Sequence, residues 1–202
     1  MAILRVAQLG HPILRRVADP VDPEIIPSDG FQELCDSMLD TIDDYDGAGL
    51  AAPQVHYSLR LVLLTLDDEK GPEFMINPTI TVLSETRSSM TEGCLSITGL
   101  RARVERPDHI SVHFLDRQGQ ARAYELEGFP AIVTQHEVDH LDGILLVDRC
   151  DTKTLTFVSE LERWGILGDE SDESLDDDTQ EVSKTEAHEP DDEIADALGE
   201  TH

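Results

Sequence analysis

The amino-acid sequence predicts an α+β fold, and three observations carry that expectation. Short β-rich runs cluster in the middle of the 202-residue chain, helical periodicity brackets them on both sides, and no internal repeat organises the whole. The early helix is expected over 29–45, where Phe31, Leu34, Cys35, Met38, Ile42 and Tyr45 fall at helical spacing behind Ser28 and Asp29 as candidate caps. It stops before Gly47 and Gly49. The runs 60–66 (RLVLLTL) and 73–83 read as strands, with the turn-like 67–72 (DDEKGP) between them. Ile110, Val112 and Phe114 alternate with polar neighbours, 121–126 continues as a strand, and 116–119 (DRQG) marks the turn between the two. From Phe129 the period becomes helical again: Phe129, Ile132, Val133, His136 and His140 share one face, so an apolar stripe runs into two histidines. A last helix is expected over 151–165, opened by Asp151 and carrying Leu155, Val158, Leu161, Glu162 and Trp164.

Charge excludes whole classes of partner. Lys and Arg number 15 against 43 Asp and Glu, a formal net charge of −28, whereas nucleic-acid binding draws on counterions released around basic side chains. DNA and bare anionic membrane are therefore not expected as partners. No stretch approaches the roughly 20 consecutive apolar residues of a spanning helix, and the N-terminal MAILRVAQLG lacks the basic-then-apolar layout of an export signal, so a cytoplasmic location is expected. Cys35, Cys94 and Cys150 form an odd, widely spaced set that does not read as a disulfide framework, and Cys35 and Cys150 are most simply small buried hydrophobes. The charge is also uneven. Residues 168–202 hold 15 acids and one base, Lys184, with no aromatic residue, too little apolar surface to offset the entropy of ordering. A folded unit over 1–167 followed by a disordered acidic tail over 168–202 is the expected organisation.

His136-Glu137-Val138-Asp139-His140 is an H-E-x-x-H pattern. Residues i and i+4 stand one turn apart on one helix face, so both imidazoles reach a single metal ion, while the intervening carboxylate addresses a water beside it. A catalytic site typically takes a third protein ligand. Two candidates present themselves: Glu160, 20 residues beyond His140, a placement resembling thermolysin-like zinc peptidases, and Cys94 in Glu92-Gly93-Cys94-Leu95-Ser96. One thiolate with two imidazoles suits iron, zinc, nickel or cobalt, and ligand type alone does not choose among them.

Three motifs together resemble those of peptide deformylases: Gly47-Ala48-Gly49-Leu50-Ala51-Ala52-Pro53-Gln54, Glu92-Gly93-Cys94-Leu95-Ser96 and Gln135-His136-Glu137-Val138-Asp139-His140, in family order and covering about residues 3–165. The resemblance implies antiparallel β-sheets around a central helix that carries both histidines. It implies one divalent ion held by Cys94, His136 and His140, with Fe(II) native and zinc, nickel or cobalt as substitutes. Glu137 then serves as general acid and base, and the Gln54 amide with the Leu95 N–H as donors to an oxyanion. Gly47 and Gly49 permit close approach of a substrate backbone. Met90, Phe129, Ile132 and Val133 contribute to a pocket for a methionine side chain, Glu92 accepts from the substrate or braces the site, and Arg101 lies near the peptide path. The implied reaction removes the N-formyl group from nascent chains and releases formate. Ribosome encounter follows from that substrate, but a chain this acidic should associate weakly and in a salt-dependent way. Thr98 stands where the family commonly has proline, which predicts a loop of different shape. A Glu160-liganded peptidase and a metal-holding module that binds N-termini without turnover are the two rival readings.

Overall fold

A computed structural model describes residues 2–65 and 71–165. Helix α1 spans Asp29–Tyr45, the extent that its periodicity predicts: the Ser28 hydroxyl accepts from the Phe31 amide, Phe31, Leu34, Cys35, Met38 and Ile42 are buried, and Asp46 ends the helix in the left-handed conformation. Buried Thr41 accepts from the Leu4 amide at 2.8 Å and so ties the N-terminal stretch to the helix.

Seven longer strands follow or flank it: β1 (Gly49–Ala51), β2 (Leu61–Leu64), β3 (Glu73–Val82), β4 (Arg87–Gly93), β5 (Leu100–Pro107), β6 (His109–Leu115) and β7 (Ala121–Glu127). They form a five-stranded sheet in the order β1-β2-β3-β6-β7 and, with the short β8 (Thr156–Phe157), a three-stranded sheet in the order β4-β5-β8. Every pairing is antiparallel. β2 explains its own sequence: Leu61 and Leu63 join the core shared with α1, while Val62 and Leu64 join Met75, Val112, Phe114 and Leu141 on the other face. A strand covered on both faces needs a continuous apolar run rather than alternation. The 67–72 connection lies mostly outside the described residues.

Helix α2 spans Phe129–Leu141 and packs on β1, β2 and β7 of the larger sheet and on β5 of the smaller one. Contact on two sides buries Ala131, Ile132, Thr134, Gln135, His136, Glu137, Asp139, His140 and Leu141, so polar and apolar residues alike are enclosed. The two sheets around a central helix accord with the expected α+β architecture. The C-terminal expectation needs correction. The single helix over 151–165 is instead a 3-10 turn at Thr152–Thr154, then β8, then a short helix α4 (Val158–Arg163). Asp151 does cap, but the Thr154 hydroxyl accepts from the Arg103 amide at 2.8 Å and β8 pairs with Leu100 and Arg101, so the chain closes the open edge of β5 instead of coiling. A one-turn helix α3 (Leu146–Arg149) joins α2 to this segment. The acidic tail over 168–202 lies outside the described residues.

Candidate metal centre

The ligand set draws on two elements. His136 and His140 are one turn apart on α2, with ring centroids 5.1 Å apart, and Cys94 follows the last residue of β4. Their donor atoms all lie within 4.8 Å of one another, all three residues are buried, and Cys94 Sγ is 3.3 Å from His140 Nε2. Each imidazole is prepared for that role. The His136 Nδ1–H donates to Glu92 Oε2 at 2.7 Å, which fixes the tautomer and turns Nε2 toward the cluster. Burial first, then the charges of His136 and Arg106, holds His140 well below its ordinary range and therefore neutral, the form that ligates. Two imidazoles and one thiol, converging and enclosed, fit a borderline divalent ion with a fourth position left for a reactant. Glu160 is not in the cluster. It sits on α4, with its carboxylate 3.8 Å from Arg163.

Glu137 lies between the two histidines on the same buried helix, and its Oε2 has no hydrogen-bond partner among the described residues. Burial pushes its carboxyl up to about 7, against the opposing pull of His136 and Arg106, which suits a group that must both take and give a proton near neutrality. Gly49 makes this placement possible. A Cβ there would stand 2.6 Å from Glu137 Oε1, so the space a side chain would fill belongs to the carboxylate.

Gln54 sits in the 3-10 turn Ala52–Val55 and is buried. Its Oε1 accepts from the Ala51 amide at 2.8 Å, which orients the NH₂ toward Ser96 Oγ at 3.3 Å and Cys94 Sγ at 3.7 Å. Leu95 lies in the turn after β4, and among the hydrogen bonds of the described residues none uses its N–H as donor.

A second group supports the first, and its two arginines, Arg106 and Arg149, were not singled out in the sequence. Buried Arg106 on β5 donates to Glu92 through Nε at 2.6 Å and Nη2 at 3.1 Å, and through Nη1 to Asp139 at 2.7 Å. Asp139 also receives Arg149, at 2.7 and 2.6 Å. Burial pushes Glu92 upward, but the His136 hydrogen bond and the Arg106 guanidinium more than reverse it, so the carboxylate stays ionised. With both oxygens engaged, Glu92 is placed to brace His136. Asp139 lies inside the histidine motif, while Arg106 falls on the same inward face of β5 as Ala102 and Val104, a placement visible only once the strand is known.

The remaining expected residues are spread more widely. Gly47 backs onto the side chains of Ile42 and Leu95. Arg101, exposed, lays its guanidinium across Gly93, its partner in the β4–β5 ladder. Met90 is half-buried on β4, Ile132 is buried, and Phe129 is 48% exposed at the first residue of α2. Val133 packs against the cluster of Ala51, Val62 and Leu141, a core position.

Comparison with known proteins places this geometry. Residues 3–155 match the family model described as polypeptide deformylase. The chain is 43% identical over 149 residues to peptide deformylase 2 of Xanthomonas axonopodis pv. citri, covering 73% of this chain and 87% of that one. It is 42% identical over 166 residues to the peptide deformylase of Rhizobium meliloti, covering 81% and 89%. Among solved structures, the actinonin-bound class I type b peptide deformylase from Acinetobacter baumannii superposes with a TM-score of 0.70 at 38% identity, covering 75% of this chain and all of that one. The peptide deformylase from Thermotoga maritima gives 0.69 at 36% identity, covering 75% and 99%.

Proposed function

Because this chain belongs to the polypeptide deformylase family, we infer that the site built on α2 and the turn after β4 removes the N-formyl group from nascent peptides, as a metal-dependent hydrolase. The observation that carries the residue assignment is the convergence of Cys94, His136 and His140 within 4.8 Å beside an unpartnered buried carboxylate. These three residues hold one divalent ion, with Fe(II) as the native metal and zinc, nickel or cobalt able to replace it. When bound, the ion supplies Lewis acidity, bringing the pKa of water toward about 7 so that a nucleophile exists at neutral pH.

The chain's own groups do the rest. Glu137 takes the proton that the attacking water gives up and delivers it to the nitrogen as the formyl C–N bond breaks, leaving formate and a free α-amine. The Gln54 amide and the Leu95 N–H are aimed where negative charge develops on the formyl oxygen, and one such donor is typically worth about 2.7–4 kcal/mol. Glu92, held by Arg106, keeps His136 in its ligating tautomer. Gly47, Gly49, Met90, Glu92, Arg101, Phe129, Ile132 and Val133 remain the candidates for shaping the path and pocket of the substrate, Glu92 and Val133 from behind. The substrate is a formylated nascent chain, met at the ribosome in the cytoplasm; DNA and membrane are not partners of so acidic a chain.

The test is formate release from formyl-Met-Ala by protein purified without oxygen, paired with metal analysis. Turnover, with one iron per chain, is the expected result. Cys94→Ala should lose the metal and all activity, whereas Glu137→Gln should keep the metal and lose turnover. A Cys94→Ala variant that retained a full complement of metal would overturn the ligand assignment, and a metal-replete wild type without formate release would overturn the reaction.

A further inference from the structure

The turn that presents Cys94 and Leu95 is gripped by a side chain nearly ninety residues away in sequence. Cys94 O accepts from the Ile97 amide at 2.9 Å, closing a turn with Leu95 and Ser96 at its centre. The Cys94–Leu95 peptide is planar and trans, so committing its carbonyl to Ile97 directs the Leu95 N–H to the opposite side. The next peptide, Leu95–Ser96, is the one that turns over when such a turn changes type. Its carbonyl is held by Gln8 Nε2 at 3.1 Å, and the Thr98 hydroxyl lies 3.3 Å from it and 3.0 Å from Gln8 Oε1. One hydroxyl proton serves one acceptor well, so the arrangement that satisfies every group has Gln8 donating to Leu95 and Thr98 donating to Gln8.

The segment carrying Gln8 is laced to the same site on both sides. The Ala7 amide donates to Gln54 O at 2.7 Å and the Leu9 amide to Ser96 O at 2.8 Å. Turning over the Leu95–Ser96 peptide would carry Ser96 to positive φ and swing its hydroxyl away from Gln54 Nε2, which now lies 3.3 Å from it. The grip on one carbonyl therefore bears on Leu95 and Gln54 together. A proline at 98 would restrict its own φ and the backbone of Ile97 but would offer no hydroxyl to Gln8. Threonine there reaches instead to the N-terminal stretch.

We propose that Gln8 and Thr98 are positioning residues, a hydrogen-bonded clamp that holds the Leu95 turn so that the Leu95 N–H and the Gln54 amide stay aimed at the developing oxyanion. This rests on the reading of those two groups as the oxyanion donors.

The test uses the full, metal-replete chain with formyl-Met-Ala. Thr98→Val keeps the shape and removes the hydroxyl. It should lower kcat about three- to tenfold, the worth of one neutral hydrogen bond, with KM and metal content unchanged. Thr98→Ser should restore kcat. Gln8→Ala should show a similar loss, and the double variant no more than the worse single one, since the two side chains act as a unit. A Thr98→Val kcat equal to wild type, a change confined to melting temperature, or losses that multiply in the double variant would each overturn the clamp while leaving the deformylase reading standing. No formate from the wild type would overturn that reading and the clamp's catalytic use with it.

Discussion

Gly49 and Glu137 compete for one volume, and the carboxylate occupies it. Gly49→Ala should push Glu137 off its line and lower kcat by up to about a hundredfold, the scale of an ångström of misplacement, while the metal stays bound; kinetics beside metal analysis checks this. The buried ion group invites a second substitution. Arg106→Met leaves Glu92 and Asp139 enclosed without their shared cation, so denaturant unfolding should show a loss of about 3–5 kcal/mol, with weaker retention of the ion as His136 loses its brace. At this scale the convergence of the two histidines was readable because the i, i+4 spacing is mechanical, whereas Cys94 was set apart from Glu160 only by the family resemblance. Arg106 was harder to read, because what it does depends on a partner fourteen residues away across a strand pair.

Elements were legible where one face governs the pattern. α1 keeps its stripe because a single side packs on the sheet, and β6 alternates because Ile110, Val112 and Phe114 face inward. β4 and β5 were not assigned in advance: the inward face of β5 is Ala102, Val104 and a charged Arg106, an alternation that hydrophobicity does not display. The C-terminal segment failed for the reason opposite to propensity, since the open edge of β5 took Thr156 and Phe157 into a ladder. The β6–β7 turn, read correctly from DRQG, carries a pH dependence. Burial raises the Asp116 carboxyl, but the Gln120 amide, Arg122 and the Gln118 amide outweigh that and hold it below the usual range. A depressed carboxylate stabilises the fold above its unfolded pKa, near 3.9, and the contribution fades as pH falls through the folded value. Asp116→Asn should thus be less stable than wild type at pH 7, and urea melts should show the gap narrowing below about pH 4.

For the whole chain, composition spoke about partners more than about shape. Half of the excess negative charge sits in 168–202, beyond the matched family region of 3–155, so we propose that this tail takes no part in turnover. A chain ended at residue 167 should keep wild-type kcat and KM on formyl-Met-Ala. It should also sediment with ribosomes somewhat better than the full chain, with the difference between the two shrinking as salt screens the repulsion of the tail.

The cysteine follows directly on β4 of the smaller sheet, and the histidines ride on a helix that also leans against the larger one. An ion bound there works like a rivet through two plates: extracting it should ease the seam between them, so that a chelated sample is cut by proteases first along β4 and β5, before the region around α1 gives way.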